Sequence, residues 1–196
     1  MGREGRPVIV LGIDPDTKTT GVGLVNAGSP IYAQLVTVPN KTAKVNVRIL
    51  QMIDQMESFL SNFRVEQPEG ASIAKIVVEG QRFRPGSPVR PQDLIHLAQV
   101  AGSIAGICRA LWPGVEIVMP EPTDWKGSIK KATFTRRILK DLGLTIGADG
   151  GLVFVGSPIK LRLPGTTKLS KTDSSHPIDG LGMALWGYRM MPLRGR

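Results

Sequence analysis

The chain has 196 residues and a hydrophobic content of 41%, enough for a single domain with its own core. Its 25 lysines and arginines outnumber its 16 aspartates and glutamates, and the net charge of +9 favours a polyanionic partner, nucleic acid first. No apolar run approaches the ~20 residues of a membrane span, and the start of the chain does not resemble a secretory signal. Cys108 is the only cysteine, which excludes an internal disulfide and fits a reducing compartment. We therefore expect a cytoplasmic protein, bacterial or phage-encoded, with no membrane partner.

The first 38 residues predict three short strands. Apolar runs at 8–14, 21–26 and 31–38 are separated by turn-forming residues, and strands joined by short turns form an antiparallel meander. The apolar period then changes to three or four residues, which predicts an amphipathic helix over about 42–63.

The rest of the chain alternates strands with helices. The predicted elements are a strand at 75–79, an arginine-bearing loop at 80–91, a long helix at 92–111, a strand at 115–119, a basic helix at 129–142 and a last helix at 177–191. Residues 145–172 are rich in Gly, Pro, Lys and Thr, and they form either a hairpin (152–155 with 159–163) or a mobile loop. This order predicts one α/β domain over 1–196, in which a five-stranded mixed sheet has helices on both faces and 145–172 is an insertion.

The long helix at 92–111 is apolar over most of its circumference and carries several small residues. Small residues permit the close approach of another element. Two interpretations remain open: the helix packs only on the sheet of its own chain, or it also forms the interface of a homodimer.

Three acidic residues lie at the ends of predicted elements. Asp14 ends the first strand, Glu79 ends the fourth, and Asp179 lies in the first turn of the last helix, three residues after His176. If the first and fourth strands are neighbours, Asp14 and Glu79 lie side by side, and carboxylates that close need a compensating charge. A divalent cation supplies it, and two Mg²⁺ ions can act together on a phosphodiester. Taken singly, each residue also has an ordinary explanation, such as a surface salt bridge or a helix cap.

Four segments of the chain resemble one family. The segment GIDPDTKTTGVGLV resembles the GIDPGT-x-x-TG-x-G motif of RuvC-type Holliday junction resolvases, which have a ribonuclease H-like fold. VVEGQRF is similar to the second motif of that family, SHPIDGLGMAL to its last motif, and LIHLAQVAGSIAGI to its long central helix. The resemblance extends over 8–143 and 173–190.

The resemblance implies a homodimeric endonuclease that nicks two opposed strands of a four-way DNA junction. It implies two Mg²⁺ ions, for which Mn²⁺ is expected to substitute, and a dimer formed through the 92–111 helix. The implied catalytic residues are the metal ligands Asp14, Glu79, His176 and Asp179, together with Lys126 and Lys131. Among the predicted DNA contacts, the resemblance implies Phe83, Lys126 and Lys131, with Lys130 as the alternative to Lys131. The clusters of basic residues add Arg82, Arg84, Lys130 and Arg136.

Two positions depart from the family pattern. Asp16 stands where the family has glycine, and we expect Asp to tolerate a left-handed turn there. Phe83, the candidate for stacking on junction bases, lies one residue later than the pattern places its aromatic, and Arg82 occupies the expected position.

Three other functions compete with a junction resolvase. A nuclease for forks or flaps is the nearest, and a non-catalytic junction-binding protein is the second. The third is a phosphotransferase of the actin-like or sugar-kinase class, which shares a Gly-x-Asp-x-Gly-Thr motif. That class needs two lobes around a nucleotide, for which 196 residues are too few, and we therefore expect no nucleotide cofactor.

Overall fold

The structure of the protein is a computed structural model that describes residues 8–65, 72–82, 89–148, 150–155, 163–165 and 175–191. Its elements are β1 (Val8–Asp14), β2 (Thr19–Asn26), β3 (Ser29–Thr37), α1 (Val45–Val65), β4 (Ser72–Val78), α2 (Pro91–Leu111), β5 (Glu116–Val118), α3 (Pro122–Trp125), α4 (Lys131–Asp141), β6 (Leu144–Ile146), β7 (Leu152–Phe154) and α5 (Ser175–Arg189). Strands β1 to β5 form a mixed sheet in the order β3-β2-β1-β4-β5. The predicted fold class is confirmed, including the antiparallel meander of β1 to β3 and the parallel pairing of β4 with β1 and β5.

Strand β1 lies in the centre of the sheet and is buried on both faces. Its side chains alternate between two cores because successive residues of a strand point to opposite faces. Ile9, Leu11 and Ile13 pack in a core with α1 and α2, whereas Val10 packs in a second core with α4 and α5. The expected helices on both faces are therefore present.

The smaller sheet contains a pairing that the sequence did not predict. Strand β7 pairs with β6, whereas most of its predicted hairpin partner, 159–163, lies outside the described residues. Leu163 is described, and its backbone N–H donates to the carbonyl of Leu152 at 2.8 Å. The sequence prediction overlooked β6 because its three residues directly follow the glycine that ends α4.

Two other boundaries differ in ways that affect the site. The segment between the predicted strand at 115–119 and the basic helix, where no element was predicted, contains the short helix α3. Its N-terminus is closed by reciprocal side-chain contacts of Glu121 and Asp124 with the backbone. The basic helix begins at Lys131 rather than at 129, and the last helix begins at Ser175 rather than at Pro177. His176 is therefore part of the helix and not its cap.

Helix α2 has two unlike faces. Val100, Ala101, Ile104 and Cys108 are buried against the chain's own core, but only 22% of its most apolar stretch is buried. By length and composition alone the helix is long and apolar enough to cross a membrane, although its apolar residues do not form one unbroken run. Its packing against α1 and the sheet is that of a helix flanking a core.

Candidate active site

The sheet places Asp14 and Glu79 next to each other. Ile13 and Val78 are paired in the parallel register of β1 and β4, and each acid is the residue that follows. The backbone N–H of Glu79 also donates to the carbonyl of Ile13 at 3.0 Å. Both acids are buried, with relative exposures of 9% for Asp14 and 7% for Glu79.

Helix α5 brings His176 and Asp179 to the same end of the sheet. The approach is so close that a Cβ at Gly21 would collide with the backbone carbonyl of His176. Nδ1 of His176 lies 2.9 Å from Oδ2 of Asp14. An ionised carboxylate can only accept a hydrogen bond, so the tautomer of His176 that suits an ionised partner is the one with the proton on Nδ1. Asp179 is almost completely buried, at 3% exposure.

Two lysines contact the carboxylates directly. Nζ of Lys126 lies 3.5 Å from Oε2 of Glu79, and Nζ of Lys131 lies 3.2 Å from Oδ2 of Asp179. Lys130, the alternative to Lys131 in the sequence, is exposed and precedes the first residue of α4. Of this pair, the structure therefore places Lys131 at the acidic cluster.

Trp125 and Gln81 hold Glu79 in place, and the sequence did not identify either as a site residue. The indole Nε1–H of Trp125 donates to Oε2 of Glu79 at 3.1 Å, and the amide Nε2 of Gln81 donates to Oε1 at 3.2 Å. The only indication in the sequence was that both lie close along the chain to predicted site residues, since Trp125 precedes Lys126 and Gln81 lies two residues after Glu79. A tryptophan buried in a basic segment is otherwise expected simply to pack in the core.

The cluster has more negative charge than its buried surroundings favour. Burial raises the pKa of Glu79, and the nearby charge of Asp14 raises it further. The pKa of Asp179 is raised by the same two causes in the same order. The hydrogen bond to Asp14 raises the pKa of His176. All three shifts indicate a site that attracts positive charge.

The donor set fits a divalent cation, although the side chains do not enclose one. Oδ1 of Asp179 is a buried oxygen without a hydrogen-bond partner among the described residues, and such atoms usually have one. No three His, Cys, Asp or Glu side chains in the described ranges have the geometry of a metal site. The carboxylates instead contact Lys126, Lys131 and His176. The magnesium site thus remains a prediction that oxygen-donor chemistry supports.

The turn after Asp14 is stabilised by a side chain and not by a left-handed residue. Oδ1 of Asp16 accepts hydrogen bonds from the backbone N–H of Lys18 at 3.1 Å and from the hydroxyl of Thr17 at 3.3 Å. The only described non-glycine residue with positive φ is Ala27. The turn is thus formed without a left-handed residue at Asp16, because Asp has a hydrogen-bonding alternative in turns.

The predicted DNA contacts are only partly described. Arg82 has a side chain that is 71% exposed and bonds Oε1 of Glu121 at 3.0 Å, and Arg136 is exposed on α4. Phe83 and Arg84 lie outside the described residues, so their roles remain predictions.

Comparison with known proteins bears on the fold. No protein-family model and no curated protein matches the chain. Among solved structures, it is similar to RuvC of Thermus thermophilus in complex with a Holliday junction substrate, with a TM-score of 0.57 and 16% identity over 92% of this chain and 93% of that one. A second RuvC structure from the same organism gives a TM-score of 0.56 and 16% identity, over 92% of this chain and 94% of that one. The chain has the RuvC fold. The resemblance inferred from its motifs is thereby confirmed at the level of fold.

Proposed function

We propose that the protein is an endodeoxyribonuclease that resolves four-way DNA junctions by paired, metal-dependent hydrolysis of phosphodiester bonds. The observation that carries this proposal is the convergence of Asp14, Glu79, His176 and Asp179 at one end of the sheet. These residues come from three elements separated by up to 165 positions in the sequence. In a protein with the RuvC fold, such an acidic cluster beside lysines suits hydrolysis of a phosphodiester.

The carboxylates of Asp14, Glu79 and Asp179 would hold Mg²⁺, and Mn²⁺ is expected to substitute. The bound ions would activate water and neutralise charge on the scissile phosphate and its leaving oxygen. Trp125 and Gln81 orient the carboxylate of Glu79 through their hydrogen bonds. His176 is held by Asp14, and its side chain is more exposed than that of Asp14, 23% against 13%. Buried, hydrogen-bonded ligands of this kind keep the donor atoms in place before substrate arrives.

Lys126 and Lys131 would bind the scissile phosphate once their present carboxylate partners hold metal. Both ammonium groups lie within 3.5 Å of a proposed ligand, so a phosphate placed at the carboxylates is within their reach. The exposed Lys130, Arg136 and Arg82 extend this positive charge over the surface near the site. Such contacts bind the DNA backbone with little sequence preference, and salt weakens them.

A second copy of the chain would cover the exposed face of α2. Ile95 on this face is 51% exposed, and no other described atom lies within 4 Å of where a Cβ would stand at Gly102 or Gly106. Large exposed apolar patches mark interaction surfaces. A twofold dimer would present two acidic clusters to opposed strands of one junction, which is what paired nicking requires.

The deciding experiment is incubation of the protein with a labelled four-way junction, a fork and a linear duplex, each with Mg²⁺, with Mn²⁺ and with a chelator. We expect paired, symmetric nicks in the junction alone and only when metal is present. Equal cutting of forks would favour a broader branched-DNA nuclease, and binding without cutting would favour a non-catalytic protein. ATP binding in place of junction binding would support a phosphotransferase and overturn the proposal.

Asp14→Asn tests the assignment of the site within this experiment. We expect cleavage to fall by more than about 100-fold, the upper end of what is lost when a group that merely supports a metal ligand is removed, while junction affinity stays nearly constant. Asp54→Asn is the matched control, because Asp54 is an exposed carboxylate on α1. Undiminished metal-dependent cutting by Asp14→Asn would refute the assignment.

A further inference from the structure

A cavity of about 200 Å³ lies between α3, α4 and α5, next to the proposed active site. Its walls are the rings of Trp125, Phe134 and Trp186, with Ile138 beside them. Trp125 and Phe134 meet edge to face, with ring centroids 5.0 Å apart, and both are more than 90% buried. These two buried rings, Trp125 and Phe134, close the inner end of the cavity, and we call them its aromatic floor.

The mouth of the cavity is positively charged. Lys126, Arg137 and Arg189 line it together with the aromatic rings. Arg189 is fixed by a 3.0 Å salt bridge to Asp141, whereas Arg137 forms no salt bridge with any described residue and is exposed. A gap left by imperfect packing of apolar side chains would not need cations around its opening. The combination suits a ligand with a flat apolar part attached to an anionic part.

Trp125 connects the cavity to the acidic cluster. Its ring forms part of the aromatic floor, and its Nε1–H donates to Glu79. The ammonium of Lys126 lies 4.8 Å from the centre of the same ring and 3.5 Å from the same carboxylate. A phosphate held at the carboxylates and a ring held in the cavity would thus be separated by a single residue of the protein.

We propose that this cavity holds one unstacked base of the DNA strand whose phosphate is cleaved. The inference rests on the proposed function and adds a base-binding site to it. The cavity is smaller than the ~300–1,000 Å³ of typical small-molecule sites, which suits one ring system and not a whole nucleotide. Enzymes that do chemistry on a base hold it out of the stack between aromatic or apolar side chains, and proteins that bind single strands stack unpaired bases on aromatic rings.

The base lies against Trp186, with its sugar-phosphate towards Arg137. Trp186 is the aromatic wall that remains partly exposed, so it is reachable from solution. Gly182 brings the floor close to α5, because a Cβ there would lie 3.0 Å from the ring of Phe134 and 3.1 Å from that of Trp125. Stacking on a ring is tolerant of base identity, and we therefore expect a position-dependent contact with only modest sequence preference.

The test is a double-mutant cycle between the protein and the DNA, measured as junction affinity in chelator. Single abasic nucleotides are placed at each of the positions flanking the cleaved bond. At one position, we expect the abasic change to weaken binding about tenfold for the wild-type protein and hardly at all for Trp186→Ala. Trp186→Phe, which retains a ring, should keep most of the affinity for the intact junction. Circular dichroism and thermal unfolding show whether each variant is folded.

Arg137→Ala and Arg136→Ala provide a matched pair, because each removes one positive charge from α4 and only Arg137 lines the cavity. Coupling to the abasic position should appear for Arg137→Ala and be absent for Arg136→Ala. A 5-iodouracil at the same position should form a photocrosslink to Trp186.

Equal losses on intact and abasic junctions, or crosslinks only to other residues, would overturn the base-binding site. If those results accompanied normal paired nicking, the proposed function would stand without it. A protein that neither binds nor cuts branched DNA would overturn both proposals together.

Discussion

Helices α5 and α2 lie on opposite faces of the same sheet, and both are rich in small residues, yet they use them differently. In α5, residues 177–185 are all buried, and a Cβ at Gly180 would come within 2.9 Å of the backbone nitrogen of Gly23. In α2, the sites of a Cβ at Gly102 and Gly106 face open space within the described structure. Both helices therefore carry small residues, but Gly180 of α5 lies against the backbone of the sheet, whereas a Cβ at Gly102 or Gly106 of α2 would contact no other described element.

The difference lies in where the approaching surface comes from. For α5 it is the backbone of β1 and β2, where Gly12, Gly21 and Gly23 provide the matching gaps. This close approach carries His176 and Asp179 to Asp14. For α2, no described part of the chain approaches the glycines, so we attribute their use to a second copy. Helix α5 thus assembles the candidate site, and α2 is proposed to join two copies of the chain and with them two such sites.

Among the substitutions that test this difference, Gly21→Ala should have the largest effect on stability and cleavage. The added methyl group would collide with the carbonyl of His176, and overpacking against backbone typically costs ~1–3 kcal/mol. For a protein of this size, that lowers the melting temperature by about 2–4 °C for each 1 kcal/mol. We also expect cleavage to fall strongly, because His176 and Asp179 move with α5. Thermal unfolding and junction cleavage provide the measurements.

Gly102→Ala is the matched control, since it adds the same methyl group to the other helix. In the single chain the Cβ meets open space, and Ala exceeds Gly in helix propensity by about 1 kcal/mol. At protein concentrations where the chain is monomeric, we therefore expect the melting temperature to stay equal or rise. If Gly102→Ala were as damaging as Gly21→Ala, the contrast between the two helices would be wrong.

Gly102→Arg should separate the two copies with little harm to the fold of each. A long charged side chain on an apolar twofold interface meets its own copy nearby, and like charges brought together there are unfavourable. We expect the dimer dissociation constant to rise at least about tenfold and paired nicks to become single nicks. Sedimentation equilibrium and a cruciform plasmid assay measure the two effects. A wild-type protein that is monomeric at all concentrations would contradict the proposed interface.

The sheet and most helices were predictable because their apolar periods are long and regular. The apolar runs of β1 and β4 and the three-to-four spacing of apolar residues in α1 are local patterns, so they can be recognised in the sequence itself. The convergence of Asp14 and Glu79 was also predictable, since it needs only that two strands be neighbours. The three-residue strand β6 and the short helix α3 were missed, because their few residues carry no period.

The partners of Glu79 and the use of the glycines could not be predicted from the sequence. Trp125 reaches Glu79 across 46 positions, and nothing in the local pattern separates an indole that donates a hydrogen bond from one that only packs. In α2, the sequence left two interpretations open. One face packs on the chain's own core, the other is uncovered within the described residues, and the homodimer interface stays a prediction. Asp16 shows the same limit, since the sequence indicated only that Asp tolerates a left-handed turn and did not indicate the side-chain hydrogen bond that stabilises the turn.

Asp179→Asn should raise the stability of the metal-free protein by a small amount. Burial and the charge of Asp14 raise the pKa of Asp179, so its ionised form at neutral pH is less favourable in the folded state than in the unfolded one. Single stabilising substitutions commonly add ~0.5–2 kcal/mol, and we expect a gain in the lower part of this range, with about 2–4 °C for each 1 kcal/mol. Thermal unfolding in chelator at pH 7.5 measures the gain.

The gain should disappear as the pH falls below the ordinary pKa of an aspartate, because Asp179 is then protonated in both states. Added Mg²⁺ should stabilise the wild-type protein more than Asp179→Asn. A variant that is less stable than the wild-type protein in chelator at neutral pH would indicate that the 3.2 Å contact with Lys131 outweighs the burial of the charge.

Cys108 offers the smallest and most local test, because it lies on the face of α2 that the chain itself covers. It is fully buried, and burial raises the pKa of its thiol to about 12, so thiolate is scarce at pH 8. We expect alkylation of the native protein to be slow and to be unchanged by Gly102→Arg, since the cover of Cys108 is its own sheet and not the second copy. The denatured protein provides the fully reactive reference. Faster alkylation in Gly102→Arg would mean that dimerisation also holds α2 against the sheet, and the two faces of the helix would then not be independent.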